Sequence, residues 1–384
     1  MPSAASAISI PDLVAAVPSC PAIGRGALLA AVLRDPASIR RLGLAGWDLL
    51  VRQARRANLL GRLAVLAAAT NTWAAIPPAP LRHLESARRV VDRHAIAVRW
   101  EVECIRKALA PHGIPTLLLK GAAYVAASLP AGQGRVFSDV DIMVPQADLA
   151  RVERTLAASG WLPSKIDAYD TRYYREWMHE IPPLRHIKRG SVLDVHHTIL
   201  PPTSKPRPDA RQLLAAAIPI EGLDGIYVLA PTDMVLHSAT HLFYDGELHH
   251  GLRDLVDLDD LLRHFGARDA GFWQALVDRA FEMELAQPLF YGLRYAQRFL
   301  ETPVPDPVLQ AMKCAGPSRL MRPVMDALFD RALMPDHSTC SDRLTPTARW
   351  LLYVRAHYLR MPLRLLIPHL ARKSLWRVKD GEAH

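Results

Sequence analysis

The chain has 384 residues, of which half are apolar and 22% are charged, and its formal net charge is +9 at pH 7. This length allows two or three domains, and the composition excludes a mainly disordered chain, a fibrous protein and a polytopic membrane protein. The longest candidate apolar run, residues 63–76, is short and is interrupted by Asn71 and Thr72. We therefore expect no transmembrane helix.

The cysteines and the N-terminal segment indicate a cytoplasmic protein. Cys20, Cys104, Cys314 and Cys340 are scattered and form no C-x-x-C pair, so we expect reduced thiols without a disulfide framework or a zinc site. The first residues lack the basic region and long apolar core of a secretion signal.

The positive charge is concentrated near the C-terminus. Residues 343–379 contain nine Lys or Arg and no acidic residue, whereas basic and acidic residues balance in the rest of the chain. Arg alternates there with Leu, Trp and Tyr at helical spacing, interrupted by Pro362 and Pro368. This basic tail could bind an anionic membrane surface or a phosphate-rich partner, or it could pack on the body with its Arg side chains in water. No signature of sequence-specific DNA binding is present.

The N-terminal region, residues 1–110, is predicted to be helical. Apolar residues recur every three or four positions over residues 46–70 and again over residues 80–110. The second helix is expected to end at Pro111–His112–Gly113.

A central region, residues 111–202, shows a different pattern. The apolar run 114–120 and the alternating segment 138–144 predict strands, each followed by a helix, and residues 175–200 predict two strands joined by a turn at 188–190. Fewer than about five strands favour one small mixed sheet.

After the Pro-rich linker at residues 201–209, the region 203–384 is predicted to be helical again, with helices over 230–244 and 252–266. The predicted fold class is therefore α+β, with a small mixed sheet between N-terminal and C-terminal helical regions.

Acidic residues in two predicted strands form the strongest chemical signal. Asp139 and Asp141 are two residues apart in one strand, so their carboxylates face the same side and repel each other unless a cation lies between them. Asp194 lies in a second apolar strand that could place it beside them. Mg²⁺ and Mn²⁺ prefer such oxygen ligands, so we predict that these three residues bind the metal and carry the catalysis.

Basic groups near this cluster suit a phosphate. Lys120 and Gly121 join a strand to a helix, where backbone N–H groups, a lysine charge and a glycine together favour phosphate binding. Arg135, in a Gly-rich loop (Gly132 and Gly134), could clamp the same phosphates. We also place Ser138 and His196 among the nucleotide-binding residues, since His196 shares the strand face of Asp194.

The order K-G, R-x-x-S-D-V-D-I-M-V and L-D-V-H-H, over residues 114–200, resembles the polymerase-beta-type nucleotidyltransferase superfamily. More narrowly it resembles a bacterial family of uncharacterised nucleotidyltransferases, to which the helices over 231–264 are also similar. The resemblance implies that Asp139 and Asp141 are metal ligands and that Asp194 is a third ligand and the base for an acceptor hydroxyl. Lys120–Gly121 stands where the superfamily usually has Gly-Ser.

The predicted function is a Mg²⁺-dependent transfer of a nucleoside monophosphate from a nucleoside triphosphate to an unidentified hydroxyl, phosphate or protein acceptor, with pyrophosphate release. Two alternatives remain open from the sequence. One is a glycosyltransferase that uses the D-x-D to hold a metal and a nucleotide diphosphate. The other is a non-catalytic protein that binds nucleotide or an anionic surface.

Other polar residues are ambiguous. His179 and Glu180 could face the same cleft as His196. His237 and His241 share a helix face at i,i+4 spacing, for which a structural or substrate-contacting role is favoured over zinc. Arg253 and Asp257, also four residues apart, predict an ion pair on one helix.

Overall fold

A computed structural model describes residues 28–164, 178–244, 246 and 248–362 of the chain. In this part of the chain, helices surround a single seven-stranded mixed sheet. The predicted α+β fold, with a mixed sheet between helical regions, is confirmed. Among the described residues, no helix combines the length and the apolar character needed to cross a membrane.

The helices of the described residues are numbered here in chain order. They are α1 (Leu28–Arg34), α2 (Leu44–Arg56), α3 (Leu60–Ala69), α4 (Pro78–Leu109), α5 (Lys120–Ala126), α6 (Leu149–Ala158), α7 (Ala210–Ala215), α8 (Pro231–Tyr244), α9 (Gly251–Arg268), α10 (Phe272–Glu282), α11 (Ala286–Leu300), α12 (Asp306–Ala311), α13 (Met321–Ala332) and α14 (Thr345–Arg360).

The sheet has the strand order β3-β4-β5-β2-β1-β7-β6. Its parallel pairs are β2 with β5 and β1 with β7, and the other neighbours are antiparallel. The strands are β1 (Thr116–Leu118), β2 (Asp139–Met143), β3 (Trp161–Pro163), β4 (Leu184–His186), β5 (Val192–His196), β6 (Ile218–Pro219) and β7 (Ile226–Val228).

Local sequence signals explain where the N-terminal helices begin and end. Pro78 occupies the first turn of α4, where its missing N–H is not needed. Beyond the end of α4, Gly113 adopts a left-handed conformation with φ +64°, as predicted for a glycine stop. The single helix predicted over residues 46–70 is instead two helices, because Asn58 adopts φ +57° between α2 and α3.

The expectation of fewer than about five strands was wrong, because β6 and β7 also join the sheet. They have two and three residues, which is too short for an alternating pattern to be recognised in the sequence. β7 pairs with β1 in parallel, so the sheet draws on residues after 202. The division into regions at residues 110 and 202 stays a prediction.

One apolar core joins all three regions. Buried side chains from Leu28 in α1 to Leu352 in α14 form a continuous cluster, to which α4, β1, β2, β5, α8 and α9 all contribute. At the join between α3 and the Gly-rich loop, a Cβ built on Gly134 would lie 2.6 Å from the Cα of Arg62. Arg62 donates to the carbonyl of Pro130 and to Asp260 in α9. This loop therefore connects the N-terminal helices with the helices behind the sheet.

The first part of the basic tail packs on the body. In α14, Ala348, Leu352 and Ala356 are buried, and the Arg355 guanidinium lies 5.0 Å from the ring centroid of Tyr291. Residues 363–384 lie outside the described part. Binding of the tail to a membrane surface or a phosphate-rich partner stays a prediction.

The close approach at Gly134 yields a stability prediction. Gly134 and Gly190 both have positive φ, +76° and +69°, but a Cβ at Gly190 would meet no atom within 4 Å. Both Gly→Ala variants therefore suffer a similar left-handed backbone strain. Only Gly134→Ala adds a clash with backbone atoms, so we expect it to lower the free energy of unfolding by about 1–3 kcal/mol more than Gly190→Ala. If denaturant titrations gave the two variants equal free energies of unfolding, the close packing of the Gly-rich loop on α3 would be contradicted.

Candidate active site

Two parallel strands place carboxylates side by side. The register of β2 and β5 pairs Asp139 with Val192, Asp141 with Asp194 and Met143 with His196. Side chains at paired positions point to the same face of a sheet. Asp141 and Asp194 are therefore direct neighbours, and Asp139 lies on the same face one step earlier. The structure thus places Asp139, Asp141 and Asp194 on one face of two adjacent strands, as predicted.

Asp141 is buried and accepts two charge-assisted contacts. Lys120 Nζ lies 2.9 Å and His196 Nε2 lies 3.1 Å from its Oδ1. Burial alone would raise the pKa of Asp141, but these two groups hold the pKa well below its ordinary value. Asp141 is therefore ionised, and because both contacts reach Oδ1, neither occupies Oδ2.

Asp194 has the opposite environment. Its Oδ1 is buried and has no hydrogen-bond partner. Burial, together with the negative charges of Asp141 and Glu180, raises its pKa to about 7. A carboxylate oxygen in this situation costs free energy unless a proton or a cation reaches it.

Asp139 stands at the more open end of the cluster. It is half-buried, and its Oδ1 accepts a hydrogen bond from the exposed Ser138 hydroxyl at 3.0 Å. Its charge also contributes to the raised pKa of Asp194. Ser138 thus orients an acid of the cluster, while a direct nucleotide contact of Ser138 stays a prediction.

The donor set fits a hard divalent cation. Three carboxylates converge from two adjacent strands, one of their oxygens is buried without a partner, and two of the acids repel each other's ionised form. Mg²⁺ and Mn²⁺ typically bind one or two carboxylates together with substrate phosphates. Asp139, Asp141 and Asp194 are therefore the residues that would hold such an ion.

The turn between β1 and α5 is strained. Lys120 adopts φ +46°, a conformation that a side chain with a Cβ disfavours and that tends to persist where function requires it. The adjacent Gly121 has a packing role, because a Cβ there would lie 2.5 Å from the Phe137 ring and 3.0 Å from Arg135 Nε. The phosphate-binding role of both residues stays a prediction.

Arg135 has a partner that sequence analysis did not identify. Its buried guanidinium forms an ion pair with Asp257 of α9 and lies 5.8 Å from the ring centroids of Tyr124 and Phe137. Burial and the positive charge of Arg253 lower its pKa. In this arrangement Arg135 ties the Gly-rich loop to α9, and its contact with nucleotide phosphates stays a prediction.

The ion pair predicted between Arg253 and Asp257 was wrong. Arg253 instead donates to Asp254, at 2.6 Å, because Asp257 is buried against Arg135. The sequence did contain a signal for this arrangement: Asp254, Asp257 and Asp260 recur every third residue among the leucines of α9. Acids within an apolar helix face require charged partners, since unpaired buried charges are very costly.

Helix α8 brings His237 near Lys120, His196 and Asp141. His237 is 4% exposed, and its burial and the nearby positive charges of Lys120 and His241 depress its pKa far below the usual range. It is therefore neutral. The pair His237 and His241 belongs to no group of three metal-ligating residues among those described, and its structural or substrate-contacting role stays a prediction.

The structure also brings His179 and Glu180 to the site. Glu180 forms a β-bridge with His196, and the rings of His179 and His196 have centroids 5.1 Å apart. His196 is 3% exposed and lies between Asp141 and Glu180. This gives His196 a positioning role, and its direct contact with nucleotide stays a prediction.

Comparison with known proteins gives one match. A family model described as uncharacterised nucleotidyltransferase matches residues 44–301. The matched range includes the strands that carry the three acids and helix α9, and it supports nucleotidyl transfer in general. No curated protein and no solved structure matches the chain.

The buried ion pair of Arg135 yields a second stability prediction. Asp257→Ala leaves a buried guanidinium without its partner, so the free energy of unfolding should fall by about 3–5 kcal/mol. The exposed pair of Asp48 and Arg52 provides a control, because Asp48→Ala should cost less than about 1 kcal/mol.

The double variant Arg135→Met/Asp257→Leu separates charge from packing in this ion pair. Replacing both partners by apolar residues should recover most of the loss, because no buried charge remains. If thermal or denaturant unfolding gave Asp257→Ala and Asp48→Ala the same loss, the ion pair would not stabilise the loop.

Proposed function

The chain belongs to the family of uncharacterised nucleotidyltransferases, and on this premise we propose that it transfers a nucleoside monophosphate from a nucleoside triphosphate to an acceptor, with Mg²⁺ or Mn²⁺ as the metal. The observation that carries the proposal is the registered pair of Asp141 and Asp194, with a buried carboxylate oxygen that lacks a partner. Family membership alone supports the general reaction. The metal, the substrate and the roles below are our inference.

The reaction needs positioning and charge neutralisation rather than a protein nucleophile. A divalent cation bound by the three acids would supply Lewis-acid stabilisation of the triphosphate and of the leaving pyrophosphate. The acceptor oxygen forms a bond to the α-phosphorus, and the bond from that phosphorus to the bridging oxygen of pyrophosphate breaks. The proton of the acceptor hydroxyl passes to the Asp194 carboxylate.

Lys120 would act both before and after a cation binds to the carboxylates. In the structure its ammonium neutralises Asp141 at 2.9 Å. When a cation binds the carboxylates, the attraction between Lys120 and Asp141 weakens, and the lysine can turn to the phosphates. The strained backbone at Lys120 keeps the side chain at the β1–α5 turn, beside the carboxylate cluster.

The two alternatives predict different products. A glycosyltransferase would transfer a sugar from a nucleotide sugar and would release no pyrophosphate. The match to a nucleotidyltransferase family is evidence against this alternative. A non-catalytic protein would bind nucleotide or an anionic surface without turnover.

Removal of single carboxylates tests the proposed roles. Asp139→Asn, Asp141→Asn and Asp194→Asn should each lower metal-dependent pyrophosphate release by more than about 100-fold, because each loses a charge needed to hold the cation. Asp148→Asn is the control, since Asp148 lies outside β2 and β5 and pairs with Arg151, and its rate should equal that of the wild type. Turnover retained in Asp141→Asn or Asp194→Asn would refute the assignment.

The position of a phosphorus label tests the reaction type. With a donor labelled at the α-phosphorus, the label should move to the acceptor, whereas a label at the γ-phosphorus should appear only in pyrophosphate. Labelled acceptor from the γ-label would identify a kinase instead. The assay requires candidate acceptors of the hydroxyl, phosphate and protein classes, including the chain itself.

A further inference from the structure

Next to the carboxylate cluster lies a second group of metal-ligating side chains. One ligand atom from each of His179, Glu180 and His196 lies within 4.8 Å of the others. We propose that these three residues bind a zinc-class transition-metal ion, separate from the ion at the three aspartates. This site goes beyond the proposed nucleotidyl transfer and does not depend on it.

The orientation of His196 is the first support. Its Nε2 lies 3.1 Å from Asp141 Oδ1, so this nitrogen can donate its proton to the carboxylate. In the neutral ring Nδ1 is then an acceptor; it is buried, makes no hydrogen bond and faces Glu180 Oε2. Metal-ligating histidines commonly show this arrangement, with one nitrogen on the metal and the other donating to a carboxylate.

The distances are the second support. A tetrahedral ion with bonds of about 2.0–2.1 Å holds its ligand atoms about 3.3–3.4 Å apart. The distance from His196 Nδ1 to Glu180 Oε2 is 3.5 Å, which is close to this value. The ligand atom of His179 lies within 4.8 Å of the other two, so His179 would have to move closer to complete the set when the ion binds.

The backbone is the third support, because it fixes the three residues together. The N–H of His197 donates to the carbonyl of His179 at 2.9 Å, and the N–H of Ile181 donates to the carbonyl of Val195 at 3.0 Å. These bonds place Glu180 opposite His196 on the same face. The pairing with β5 therefore fixes the backbone of His179 and Glu180 relative to His196.

The ligand types favour a particular ion. Two imidazoles and one carboxylate suit Zn²⁺ and neighbouring transition metals better than Mg²⁺, which prefers oxygen. Three protein ligands leave a fourth position of the tetrahedron for water or another oxygen ligand. The ion would fix the ring of His196 and, through Nε2, the orientation of Asp141 in the carboxylate cluster.

Metal analysis of the full-length protein tests this site directly. After incubation with Zn²⁺ and desalting, the wild type should retain close to one zinc ion per chain. His179→Ala and Glu180→Gln should weaken zinc binding by at least about 10- to 100-fold. In the wild type, Co²⁺ should give the intense visible absorption of tetrahedral coordination, and both variants should lose it.

Two variants serve as controls in the same experiment. His197→Ala removes the histidine next to His196, on the opposite strand face, and should keep the zinc. Asp139→Asn removes an acid of the neighbouring cluster and should also keep the zinc, even if nucleotidyl transfer is absent. Circular dichroism of each variant checks that a loss of zinc is not a loss of fold.

Three results would overturn the proposal. The wild type could retain no zinc, in which case a proton rather than a metal occupies His196 Nδ1 between the two carboxylates. The folded variants His179→Ala and Glu180→Gln could bind zinc as tightly as the wild type, which would indicate an adventitious ion only. The Co²⁺ complex could show weak octahedral absorption, which would exclude the predicted coordination.

Discussion

The parallel pairing of β2 with β5 is the constraint on which the site depends. It sets Asp141 directly beside Asp194 in the interior of a sheet, where two like charges repel and water screens them poorly. The chain compensates Asp141 with Lys120 and His196 but leaves an oxygen of Asp194 without a partner. A pair of acids held in this way costs stability unless a proton or a cation compensates it, and this requirement is the physical basis of the proposed metal site.

The surrounding structure keeps this pair in register. Helix α4 packs behind the sheet, and the Gly-rich loop is fixed between α3 and α9 by Arg62 and Arg135. Both arginines pair with buried acids of α9, Asp260 and Asp257. The helical regions therefore support the site directly, because their charged side chains hold the loop that leads into β2.

Much of the site could be predicted from the sequence. Strand alternation placed Asp139 and Asp141 on one face, and the apolar context of Asp194 indicated a neighbouring strand. The register that pairs Asp141 with Asp194 could not be predicted from the sequence, because it depends on how two strands distant in the chain align. The partner of Lys120 was also missed, since a lysine before a helix suggests a phosphate and gives no sign of an acid 21 residues later.

The incorrect sequence-based predictions also have physical causes, which lie in contacts between residues distant in the chain. Local rules favoured an ion pair between Arg253 and Asp257, but a buried guanidinium from a distant loop has a stronger requirement for the carboxylate. β6 and β7 are too short to show a period, and tertiary pairing with β1 creates them. The positive φ of Lys120 also comes from the context of the fold, whereas that of Asn58 suits a residue type that tolerates the left-handed conformation.

The most direct test of the carboxylate site is a crystal structure with Mn²⁺ and a non-hydrolysable nucleoside triphosphate, recorded with anomalous scattering. We predict an anomalous peak within about 2.0–2.5 Å of carboxylate oxygens of both Asp141 and Asp194, with the triphosphate bound to the same ion. Nucleotide bound without a peak at this pair, or a peak only elsewhere in the protein, would contradict the account.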